Sequence, residues 1–134
     1  MENWFELIHI KPYEDMRGSL KKLLMISQLN EDEKIEEIYV LLSNQGSVRG
    51  NHYHKETLEY FSVISGKAKV ALKNLETGAF EEMILSASNN VILKVPPNVV
   101  HAFKNEEEEP FIMIAISSKE YNKDATDTFP MTII

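Results

Sequence analysis

His52 and His54 stand two residues apart, Glu59 follows five residues later, and His101 arrives beyond a Val95-Pro96-Pro97 segment. Three of the chain's four histidines therefore fall in two short stretches. Imidazole titrates near neutral pH and is also a common ligand of transition metals, so such a group serves proton transfer or metal ligation. On a strand, a spacing of two puts His52 and His54 on one face. Glu59 shares an alternating face with Phe61 and Val63. A carboxylate there is costly unless a cation, a metal or a hydrogen-bonding partner compensates it. The fourth histidine, His9, alternates with Leu7 in the first apolar run and reads as structural.

The elements that must hold these side chains are strands. Apolar residues recur with a period of two in short runs: Phe5 to Ile10, Ser19 to Ile26, Ile35 to Leu42, Leu58 to Ile64, Ala68 to Leu72, Phe80 to Leu85, Val91 to Val95 and Phe111 to Ile116. Ser65-Gly66, Thr77-Gly78 and Ser88-Asn89-Asn90 supply the turn residues between them. Only Gln28 to Lys34 suits a short helix, and it suits a turn as well. The pattern predicts an all-β sandwich or small barrel in a single domain over residues 1–134.

Composition narrows the function classes. A net charge of −7 argues against nucleic-acid binding, which draws on a basic stripe, although a few placed arginines still permit an anionic small ligand. The acidic stretches Glu31 to Glu37 and Glu106 to Glu109 read as solvated turns. With no cysteine there is no disulfide framework and no catalytic thiol. No apolar run approaches the length of a membrane span and no leader pattern is visible, so the expected compartment is the cytoplasm.

The spacings resemble those of the cupins. Gly46, His52, His54, Glu59 and Gly66 fit the first cupin motif, G-x5-H-x-H-x(3,4)-E-x6-G, at every position. Pro96, His101 and Asn105 fit the second, G-x5-P-x-G-x2-H-x3-N, with Asn90 and Asn98 in place of its two glycines. Asparagine is enriched among non-glycine residues at positive φ, so both substitutions keep the turns. The resemblance implies a small double-stranded β-helix, or jelly-roll, barrel. It also implies that His52, His54, Glu59 and His101 converge inside, where they hold one divalent metal ion, zinc or another transition metal, or work metal-free. No organic cofactor is implied.

Arg49-Gly50-Asn51-His52-Tyr53-His54 resembles the Arg-Gly-x-His segment of cupins that act on nucleotide sugars, and Asp15-Met16-Arg17-Gly18 is similar to their early Asp-x-Arg-Gly segment. These families are the dTDP-4-dehydrorhamnose 3,5-epimerases, the dTDP-sugar 3,4-ketoisomerases and the cupin domains of capsule-biosynthesis UDP-sugar enzymes. Tyr39 stands where the ketoisomerases carry a tyrosine. Lys119-Glu120-Tyr121 and Asp127-Thr128-Phe129 resemble the tail of the capsule-type domains. The chemistry so implied is proton transfer beside a 4-keto group, giving epimerisation or ketone migration in surface polysaccharide biosynthesis. By position His52 matches the epimerase base, Tyr39 is a candidate acid or oxyanion donor, and Arg17 and Arg49 are candidate ligands of the substrate diphosphate. The chain departs from the epimerases at Glu59, where they carry lysine, and at His54, where they carry a non-histidine residue. Alternatives are a metal-dependent oxygenase or isomerase of a small metabolite, and a non-catalytic ligand-binding barrel. The apolar ends Phe5 to Ile10 and Met131 to Ile134 predict a homodimer.

Overall fold

The computed structural model describes residues 3–134, which form two five-stranded antiparallel sheets and one hairpin. The first sheet contains β1 (Glu6–His9), β9 (Val91–Val95), β6 (Glu59–Ser65), β11 (Phe111–Ser117) and β4 (Glu37–Ser43), in that order. The second contains β12 (Phe129–Pro130), β5 (Val48–Tyr53), β10 (Val99–Lys104), β7 (Lys67–Asn74) and β8 (Phe80–Ser86). β2 (Pro12–Asp15) and β3 (Gly18–Lys21) make the hairpin. The fold is the expected all-β cupin jelly roll.

The strand alternation is realised in the packing. Phe61, Val63, Val70, Leu72, Phe103 and Met113 meet between the sheets and are buried. Each contributes about 1.5–3 kcal/mol of hydrophobic free energy relative to exposure. On β7, Ala68, Val70 and Leu72 turn inward, while Lys67 on the other face is exposed. β6 is buried on both faces along most of its length. Its outward Tyr60 joins Ile10, Ile92 and Ile116 beneath Leu23, Leu24, Leu29 and Ile35, so the segment after the hairpin covers that part of the sheet.

Two local expectations resolve differently. The run from Ser19 ends as strand at Lys21, and the helix candidate at 28–34 is reduced to one 3-10 turn over Ile26–Gln28. Asn30 and Glu33 close a turn there instead, the Glu33 carboxylate accepting from the Asn30 amide. Asn90 and Asn98 do take positive φ, at 53° and 64°. The Asn98 amide then donates to the carbonyl of His54 (2.7 Å), tying the second motif to the first.

Candidate functional site

His52 lies on β5, His54 just beyond its end, Glu59 at the start of β6 and His101 on β10. The β5–β10 register sets His101 opposite His52. Between that pair and the next, Ala102 opposite Gly50, β5 carries one extra residue, a β-bulge at Gly50-Asn51 with φ of 85° and 56°. A Cβ on Gly50 would come 2.6 Å from the His101 carbonyl oxygen, so the close approach of the two histidine strands requires glycine. The ligand atoms of the four residues all lie within 4.8 Å of one another.

Glu59 is the hub. Its Oε1 receives His54 Nε2 at 2.6 Å and lies 3.4 Å from His101 Nε2, while its Oε2 accepts from the Tyr39 hydroxyl at 3.0 Å. Burial pushes the carboxyl upward, but the imidazoles of His101 and His54 win and hold it well below the usual carboxylate range. His54 Nδ1 donates to the Asp127 carbonyl at 2.8 Å, so a ring that also donates to Glu59 is an imidazolium. Burial opposes that charge, and the Glu59 carboxylate overcomes it, raising His54 above its ordinary value. His52 goes the other way. Burial, then the neighbouring His101 and His54, lower it to about 4, so it is neutral at neutral pH. Burial and the Glu59 carboxylate push Tyr39 far up, which keeps its hydroxyl a donor.

The cluster opens into a cavity of about 340 Å3. The segment after β11 supplies much of its lining, with Lys119, Glu120, Tyr121 and Asp127 beside Glu37 and Tyr39. Asp127 is the participant whose role the sequence conceals. Its carboxylate accepts from the amides of Lys55, Glu56 and Thr57 and from the Thr57 hydroxyl, at 2.8–3.0 Å. Only the Asp-Thr-Phe resemblance pointed to this stretch.

The arginines are placed elsewhere. Arg17 lies between β2 and β3 with its side chain 91% exposed, paired with Asp15 at 2.6 Å, and does not line the cavity. Arg49 is opposite Phe103 in the register and donates to Ser43 Oγ (2.9 Å) and the Leu42 carbonyl (3.0 Å), bridging β5 to the edge of the other sheet. It too lies outside the cavity lining.

Three imidazoles and a carboxylate form a donor set suited to zinc, iron, manganese or nickel. Two features of the structure fit such an ion. His101 Nδ1 is engaged by the Val99 carbonyl at 3.1 Å, leaving a buried Nε2 without a hydrogen-bond partner that faces Glu59. The short His54–Glu59 contact holds a proton where a divalent ion would exchange for it.

The family profile of the polysaccharide biosynthesis C-terminal domain matches residues 13–129. The chain belongs to this family. Among its curated relatives, this polysaccharide biosynthesis C-terminal domain is 23% identical over 121 residues to the UDP-2-acetamido-2,6-beta-L-arabino-hexul-4-ose reductase of Pseudomonas aeruginosa. The match takes in 90% of the chain but only 31% of the reductase. Among solved structures, the dTDP-4-dehydrorhamnose 3,5-epimerase of Bacillus anthracis superposes with a TM-score of 0.81 at 20% identity, over 94% of this chain and 77% of that one. The sugar 3,4-ketoisomerase QdtA of Thermoanaerobacterium thermosaccharolyticum gives 0.79 at 22% identity, over 96% and 89%. These structures share the cupin fold with the domain. Among the described residues no helix is long and apolar enough to cross a membrane.

Proposed function

We propose that the chain is a nucleotide-sugar isomerase that moves a proton next to the ketone of a 4-keto-6-deoxy sugar, as an epimerase or ketoisomerase, in surface polysaccharide biosynthesis. The observation that carries this reading is the pairing of opposite protonation states in one cavity. His52, kept neutral by burial and its neighbouring histidines, and a Tyr39 hydroxyl held protonated both line the cavity that the His54–Glu59–His101 cluster opens into. His52 takes the proton from the carbon beside the ketone, and the Tyr39 hydroxyl turns its single proton from Glu59 to the oxygen that gains charge. The similar structures add support, since the Bacillus anthracis epimerase holds TDP and pyrophosphate and QdtA holds TDP.

A cavity of about 340 Å3 is at the low end for a ligand pocket, enough for the sugar and not for the nucleotide. We assign the diphosphate to the exposed guanidinium groups of Arg49 and Arg17. Both lie outside the cavity lining of their own chain, and Arg17, on the β2–β3 hairpin and paired with Asp15, joins the site only through a second copy. A homodimer is consistent with the apolar outer face of β4, where Ile38 and Val40 are each 63% exposed. We treat the chain as one cupin domain working in the cytoplasm.

If an ion is held, His52, His54, Glu59 and His101 are the residues that hold it. It would supply Lewis-acid polarisation of the sugar carbonyl. His52 is then a ligand, and the proton falls to another group.

The test is solvent exchange. In heavy water, a dTDP- or UDP-4-keto-6-deoxy sugar should gain deuterium beside the ketone, read by mass spectrometry. No exchange with either nucleotide at high enzyme concentration overturns the reading. A second reading, a metal-dependent oxygenase or isomerase of a small metabolite, draws on the acidic lining of the cavity, to which Glu37, Glu59, Glu120 and Asp127 contribute beside Lys119 and His54. It predicts no such exchange, and oxygen uptake if the enzyme is an oxygenase.

A further inference from the structure

Both histidines of the first motif depend on residues that lie more than seventy positions later in the chain. β12 pairs with the outer edge of β5, setting Pro130 opposite His52 and Phe129 opposite Tyr53. The Phe129 ring stacks on Tyr53 at 5.5 Å. The Asn51 carbonyl and side chain take the amides of Met131 and Ile133. At the head of this tail Asp127 makes the contacts described above, in two directions at once. Its carboxylate holds the 55–57 turn between His54 and Glu59, and its carbonyl holds the His54 ring.

The Asp127 carboxylate takes four hydrogen bonds, from the Lys55 amide on Oδ1 and from the Glu56 amide, the Thr57 amide and the Thr57 hydroxyl on Oδ2. The partners are 70 to 72 residues away, so this is no local turn cap. The one His54 nitrogen not facing Glu59 is committed to the same residue. Partners of this kind fix the orientation of a metal-binding imidazole.

We propose that Asp127 is a positioning residue of the cluster, fixing the His54 ring and the turn that leads to Glu59, so that the hold on a divalent ion depends on it. The inference rests on the reading of the four residues as the working site. It adds to that reading an element that acts through the His54 ring and the 55–57 turn rather than as one of the four ligands.

The experiment compares wild type with Asp127→Ala in two measurements. One is cobalt(II) affinity by competition with a chromophoric chelator, together with the visible absorption of the bound ion. The other is the long-range 1H–15N spectrum of the histidine rings in metal-free protein. The variant is expected to bind cobalt about 10- to 100-fold more weakly, with altered absorption bands, and to show a shifted or broadened His54 Nδ1–H signal, because the carbonyl that accepts it remains but loses the carboxylate contacts that anchor it. A folded variant with unchanged affinity, absorption and ring signals overturns the proposal. If Asp127→Ala does not fold, Asp127→Asn and Thr57→Val each remove part of the contact set and are held to the same criteria with smaller shifts expected. If wild type binds no ion, the metal reading fails by itself. The ring spectrum then decides, and an unchanged His54 signal in the variant overturns the positioning role.

Discussion

The Tyr39 hydroxyl donates to Glu59 Oε2 across 3.0 Å, joining the edge strand β4 to the most buried carboxylate of the site. It is the hydrogen bond to Glu59 that does not come from a histidine. Tyr39→Phe removes it without changing shape. The expected result is a loss of about 1–3 kcal/mol in urea unfolding, since a buried acceptor loses its donor. Deuterium exchange into the keto sugar should fall about 100-fold or more if the phenol exchanges Glu59 for the oxyanion during turnover.

Glu59→Ala strands His54 with its donor unmatched and removes the hub of the cluster. Breaking a buried pair by removing one partner costs about 3–5 kcal/mol. Thermal unfolding should show that loss, and divalent ion binding should disappear. In the same variant the His54 titration, followed by NMR, should move down, because the carboxylate that raises it is gone.

Gly50→Ala tests the approach of β5 to β10. The new methyl would meet the His101 carbonyl oxygen at 2.6 Å in a residue with φ of +85°. Strain at positive φ alone costs about 1 kcal/mol or more, and the clash adds to it. A lower melting temperature together with weakened ion binding is expected. An unchanged melt would show that the bulge relaxes.

Glu33 gives a pH dependence away from the site. Burial raises its carboxyl, but the Asn30 amide, the Tyr60 hydroxyl and Lys94 outweigh burial and hold it below its ordinary value. A carboxyl depressed in the folded state stabilises above the unfolded pKa, and that stability is lost as pH falls through the folded value. Urea midpoints taken from pH 7 down to pH 3 should therefore fall less steeply for Glu33→Gln than for wild type.

Much of this architecture was legible in residue spacing. The alternation of Ala68, Val70 and Leu72, the pairing of His52 with His54 and the positive φ of Asn90 and Asn98 all follow from local rules. What was hidden depends on contacts between distant segments. Nothing near Asp127 in sequence says that its partners are Lys55 to Thr57. Arg49 is three residues from His52, a spacing that strand parity assigns to opposite faces. The bulge at Gly50-Asn51 reverses that, setting Arg49 beside Phe103 and within reach of Ser43. Arg17 was singled out by its neighbours in sequence, yet its own carboxylate partner Asp15 holds it on the hairpin.

The clip formed by residues 127–134 is built from contacts of long sequence separation, with Asp127 lying 70 to 72 residues from its partners on the turn. Loop-closure entropy must be met before contacts of that separation form, and it slows folding. Closing the clip over the cluster therefore carries a topological cost that the adjacent β7–β8 hairpin does not.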